Sequence, residues 1–130
     1  MSGCPADILR ETWAASQRFE RGLMAWREDQ GMIYVIAADN TWRKIIDTWT
    51  EAMPEDACPD EAPAGLTEPK RGFGYAWCNV PGLKDLVGWG VEVEQGFTTH
   101  FQAFQGSEMI RAADSSVYVL LRSGWWRRYP

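Results

Sequence analysis

The sequence predicts a mainly β fold: two antiparallel β-meander or hairpin repeats joined by a short helical connection. Three observations carry this. The chain repeats itself, each copy holds a β-branched and aromatic run closed by turn residues, and a proline-rich acidic stretch separates the copies. With 130 residues, 45% hydrophobic and 24% charged, the chain suits one packed domain over 1–130.

The repeat is read first. Gln17, Phe19 and Met24 recur 85 positions later as Gln102, Phe104 and Met109, and Gly3 and Asp7 fall on Gly88 and Glu92. After Met24 the register slips by one residue. Ile33-Tyr34-Val35-Ile36 then matches Val117-Tyr118-Val119-Leu120, Trp42 matches Trp126 and Lys44 matches Arg128. Eleven positions in order with a single one-residue gap mark two copies of one unit.

In repeat one, 3–46, the stretch Gln17 to Trp26 alternates loosely around Arg21-Gly22 and reads as a hairpin. Ile33 to Ile36 is a short strand, Asp39-Asn40 a turn, and Trp42 lies on the returning strand. Residues 47–70 hold Pro54, Pro59, Pro63 and Pro69 among seven acids and read as an acidic, solvated connecting loop. From 71 to 87 a helical connection is expected. Phe73, Ala76 and Trp77 fall at helical spacing, Asn79-Val80-Pro81 breaks the run, and Pro81 sits near the start of a second turn ended by Gly88. Repeat two, 88–130, repeats the plan, with turns at Gln105-Gly106 and Ser123-Gly124.

Charge and cysteine usage exclude several functions. A net charge of −5 argues against phosphate-driven nucleic-acid binding, and Arg122, Arg127 and Arg128 read as a solvated strand edge. No apolar run approaches the length of a membrane span, and no signal peptide is visible. Cys4, Cys58 and Cys78 allow one disulfide, with Cys58 or Cys78 as the partner considered for Cys4. Without CxxC spacing, and with His100 as the single histidine, no metal site is expected. No cofactor is expected either. Glu92 and Glu94 are the only acid pair worth naming for hydrolysis. No nucleophile elbow or phosphate loop is present, so the chain reads as a non-enzyme, with a small hydrolase as the least favoured reading.

Eight tryptophans are more than so small a domain can fully bury. Trp26, Trp42, Trp49, Trp77, Trp89, Trp125 and Trp126 are all candidate stacking platforms for a sugar, with Asn40, Gln102 and Arg127 as hydrogen-bonding partners. Trp42 and Trp126 occupy equivalent repeat positions and so read as structural. Trp125 neighbours Trp126 on a strand, so one of the two rings faces out. The expected ligand-binding residues are Trp125, Trp89, Trp49 and Arg127. The expected partner is a cell-wall glycan or another protein, including a second copy in a homo-oligomer, ring or filament.

Phe73-Gly74-x-x-Trp77, Leu86-Val87-Gly88-Trp89-Gly90, Gln102-x-Phe104, Met109 and Val117-Tyr118 together resemble the LGFP repeat of bacterial cell-envelope proteins. Gly3-Cys4-Pro5 resembles the turn of that repeat, and Phe19-Glu20-Arg21-Gly22 its hairpin. Asp47-Thr48-Trp49 and Arg71-Gly72-Phe73-Gly74 resemble segments of Trp/Tyr-rich repeat regions in secreted or lipid-anchored bacterial surface proteins. The resemblance implies an extracytoplasmic binding or structural module associated with the cell wall, and it carries over no catalytic residue. The second copy departs at Gly106-Ser107, and Ile-Tyr-Val and Val-Tyr-Val stand where the family has Ile-Tyr-Trp.

Overall fold

The structure is a computed structural model describing residues 10–58, 60–104 and 107–129. Gly3, Cys4, Pro5, Asp7 and the Gln105-Gly106 turn lie outside the described residues, as do Pro59 and the side chains of His100, Gln102 and Phe104.

Repeat one forms β1 (Arg10–Phe19), β2 (Gly22–Arg27), β3 (Met32–Ala37) and β4 (Trp42–Ile46). Two short helices follow, α1 (Arg71–Asn79) and α2 (Leu83–Val87). Repeat two forms β5 (Gln95–Phe104), β6 (Ser107–Arg111), β7 (Val117–Leu121) and β8 (Trp126–Tyr129). The mainly β architecture and the helical connection therefore agree with the sequence reading.

Each repeat is an antiparallel meander, and the two join through β1 and β5, giving the order β4-β3-β2-β1-β5-β6-β7-β8. Trp13 pairs with Thr98 at the centre of the β1–β5 ladder. These are equivalent positions in the two copies, so a pseudo-two-fold axis passes between them. The sheet curls until its outer strands meet, where Thr41 bridges Trp125. There Trp42 donates its indole N–H to the Leu121 carbonyl at 2.8 Å, and Trp126 donates to the Ala37 carbonyl at 2.9 Å. Donors and acceptors are again equivalent pairs, so both indoles serve the closure, as their repeat positions suggested.

Alternation along β2 and β3 makes two cores. Leu23, Ala25, Tyr34 and Ile36 face inward against Ile110, Ala112, Tyr118 and Leu120 of the other repeat. Met24, Ile33 and Val35 face outward and are covered by Phe73, Trp77, Leu83 and Val87 from the helices. β3 is therefore apolar on both faces because both are covered. Within the inner core the buried Tyr34 hydroxyl donates to Gln30 at 2.7 Å and accepts from Arg27 at 3.1 Å. Burial, then the carboxylate of Glu108, push the Tyr34 hydroxyl pKa well above its ordinary value.

The helices begin and end where the backbone demands it. α1 starts two residues before Phe73, and Gly74 lies against the Pro69 carbonyl, where a Cβ would come within 2.4 Å. Pro81 precedes α2 rather than opening it, because Gly82 takes the N-cap position with a left-handed φ of 79°. Trp77 donates to the Gly88 carbonyl at 2.8 Å and packs on Trp89 at 4.8 Å between ring centres.

Residues 47–70 are largely exposed, as their composition suggests, but anchored: Cys58 and Pro69 are buried, and Thr67 bridges Gly90. The disulfide joins Cys58 to Cys78 and leaves Cys4 out of that bond, which ties this segment to α1. Asp60 accepts from Lys84 of α2, adding a second tie.

Candidate functional site

Where the connecting segment meets repeat one, an open cleft of about 290 Å³ forms. That volume is at the small end of the usual range for small-molecule sites. Six separate stretches of chain build it, with Ala15 of β1 and Ile33 of β3 at its base. β2 supplies Trp26, the segment after β4 supplies Asp47, Trp49, Thr50 and Glu51, the start of α1 supplies Arg71 and Phe73, and the approach to β5 supplies Glu94.

Each side chain is held locally. The Asp47 N–H donates to the Gly31 carbonyl at 3.0 Å, anchoring the segment to the β2–β3 turn. The Asp47 carboxylate accepts from the Trp49 N–H at 3.1 Å, which folds the backbone back on itself. Trp49 donates its indole N–H to the Pro54 carbonyl at 3.0 Å, fixing the ring. Gly72 has to be small here, since a Cβ would approach Asp47 Oδ1 to 2.7 Å.

Arg71 links the acids around the cleft. Its guanidinium lies 3.4 Å from Glu55 and 3.6 Å from Glu94, and its backbone N–H donates to the Glu55 carbonyl at 2.7 Å. It does so with a left-handed φ of 52°, a conformation that costs a non-glycine residue about 1–3 kcal/mol. Such an outlier persists only where surrounding contacts over-determine it.

The electrostatics are those of partly desolvated acids. Burial raises the Glu94 carboxyl above its ordinary pKa, Arg71 opposes the rise, and Asp47 adds to it. Burial likewise raises Asp47, against the lowering effect of the Trp49 N–H. The Trp26 indole nitrogen is buried in the cleft wall with no acceptor among the described residues. The cleft thus offers aromatic surfaces, two fixed carboxyl groups and a guanidinium.

The structure scatters the residues expected to bind ligand. Trp49 lines the cleft. Trp89 packs against Trp77 as part of the outer core. Trp125 is half exposed at the closure of the sheet, and Arg127 is exposed on β8. Of the acid pair, Glu94 is in the cleft, whereas Glu92 pairs with Arg18 at 3.4 Å. Sequence reasoning missed Asp47 and Arg71 as site residues. Their signal was the pair of segments Asp47-Thr48-Trp49 and Arg71-Gly72-Phe73-Gly74, which converge on this cleft.

One group has the donor types of a metal site. Cys58, Asp60 and Cys78 place their ligand atoms within 4.8 Å of one another. Both thiols are consumed by the disulfide, so this set does not fit a metal in the oxidised chain.

Comparison with known proteins returns no match to a family model, a curated protein or a solved structure. Among the described residues, no helix is long and apolar enough to cross a membrane.

Proposed function

We propose that the chain is a non-catalytic glycan-binding module of a bacterial surface protein, and that the cleft beside Trp49 receives one sugar ring. The observation that carries this reading is the joining of Trp26, Trp49 and Phe73 with Asp47, Arg71 and Glu94 in one small cleft. A pyranose presents apolar C–H faces to aromatic rings and hydroxyls to planar polar groups. Carboxylates accept from hydroxyls, and the guanidinium donates to ring or acetamido oxygens.

Placement outside the cytoplasm is supported by the Cys58–Cys78 disulfide, since such bonds persist in oxidising compartments. The bacterial cell wall as the glycan's source rests on the resemblance to envelope repeats.

The test is a tryptophan-fluorescence titration of the full chain with soluble cell-wall glycan fragments. Saturable binding is expected, with Trp49→Ala abolishing it and Glu94→Gln weakening it, while circular dichroism stays unchanged. Wild-type affinity in a folded Trp49→Ala variant would refute the assignment. Release of new reducing ends from the glycan would refute the non-catalytic part.

A further inference from the structure

The internal symmetry shows that one apolar face is buried in repeat one and, among the described residues, partly exposed in repeat two. Met24, Ile33, Val35 and Ile45 on the outer face of repeat one correspond to Met109, Val117, Val119 and Tyr129 in repeat two. The first set packs under α1 and α2, and Met24, Ile33 and Val35 are at most 1% exposed. The second set belongs to neither core, and Tyr129 is 55% exposed. The difference shows within a single strand pair. β3 is buried on both faces, whereas β7 alternates between buried Tyr118 and Leu120 and partly exposed Val117, Val119 and Leu121.

This face is also basic. Register places Val119 between Met109 and Arg127, and Val117 between Arg111 and Tyr129. Neither Arg111 nor Arg127 makes an ion pair among the described residues. Arg111 stands where repeat one has Trp26, so repeat two replaces a cleft wall with a cation. Pressing this face against its own copy would oppose like charges, which disfavours a symmetric dimer. The complementary surface lies on the chain itself: residues 47–70 carry exposed Glu51 and Glu61 with no ion pair among the described residues. The same region also leads into the helices that cover the matching face of repeat one.

We infer that the outer face of β6–β8 docks the acidic connecting segment of a second copy of this chain. The contact joins two different surfaces, so it propagates head to tail into a ring or a filament. The β6–β8 face lies outside the cleft, but the docked segment carries Glu51 from the cleft wall, so association is measured without sugar present.

Sedimentation equilibrium of the full chain across a wide concentration range tests this, at low and at high salt. Mass should grow with concentration at low salt and fall back toward monomer at high salt, because exposed charges are screened. Arg111→Glu with Arg127→Glu should weaken association by roughly tenfold or more, the scale of close interfacial charge pairs. Both arginines are exposed, so the variant is expected to keep its fold, which circular dichroism checks. Mixing it with a Glu51→Arg, Glu61→Arg variant should restore mixed assemblies. A wild-type chain that stays monomeric throughout would overturn the inference. So would association that stops at a dimer, or that the arginine reversals leave unchanged.

Discussion

Removing the Cys58–Cys78 disulfide tests how the connecting segment is held. The bond spans 20 residues of sequence. Cross-linking a loop of that length removes about 11 cal/mol/K of unfolded-state entropy, or about 3 kcal/mol at room temperature. The competing ties are weaker. The ion pairs Lys84–Asp60 and Arg71–Glu55 are largely exposed and contribute little. Cys58→Ala with Cys78→Ala keeps a small apolar group at the buried Cys58 position, so the loss should be mainly that of the cross-link. Urea unfolding followed by tryptophan fluorescence should show a midpoint lower by ~1–3 M, given ordinary denaturant slopes. The sugar affinity should fall with it, because Trp49, Thr50 and Glu51 belong to the tethered segment. A double variant that unfolds at the wild-type midpoint would refute the loop-closure reasoning. The bridge between Thr67 and Gly90 and the helix packing would then be sufficient.

Further outcomes follow from the same geometry. Trp42→Phe and Trp126→Phe each leave one carbonyl without its indole donor and should each cost about 1 kcal/mol. The symmetry predicts near-equal losses in urea unfolding, and a large inequality would show that only one indole closes the sheet. Tyr34→Phe removes an acceptor from the buried Arg27 and a donor to Gln30, for about 1–3 kcal/mol. An unchanged unfolding midpoint would mean that the other partners of Arg27 satisfy it. For Glu94, burial raises the folded pKa above the ordinary value of 4.5. Below that value the carboxyl is protonated in both states and costs nothing. As pH rises through the folded pKa the cost becomes fully present, so Glu94→Gln should gain stability relative to wild type with rising pH. A pH-independent difference between the two, measured by urea unfolding, would contradict the burial of this carboxyl.

Much of the fold was legible in the sequence because repeats and period-two runs are local signals. Gln17, Phe19 and Met24 with their copies located the strands, and Val117-Tyr118-Val119 could be matched to Ile33-Tyr34-Val35 by inspection. The helical connection showed in Phe73, Ala76 and Trp77 for the same reason. The reading that Trp42 and Trp126 are structural also came from position, since equivalent residues in a repeat serve equivalent packing.

The cleft was less legible. Its residues come from β2, the segment after β4, the start of α1 and the approach to β5, and nothing local relates Trp26 to Glu94. Residues 47–70 have the composition of a solvated loop, and what orders them is tertiary: the Cys58–Cys78 bond, the contact of Thr67 with Gly90 and the ties of Asp47 to Gly31 and Asp60 to Lys84. Three cysteines cannot reveal their pairing, because pairing depends on distance in space.

By itself, the sequence determined the repeat, the short strands from β2 to β4 and from β6 to β8 and the helical break, all of which depend on neighbouring residues and on short periods. Tertiary structure alone decided which face of each repeat is covered. The two meanders carry nearly the same apolar pattern, yet Val35 is buried and Val119 is partly exposed. The helices that shield one face and spare the other pack across the fold, and a residue's own pattern does not record what lies on top of it.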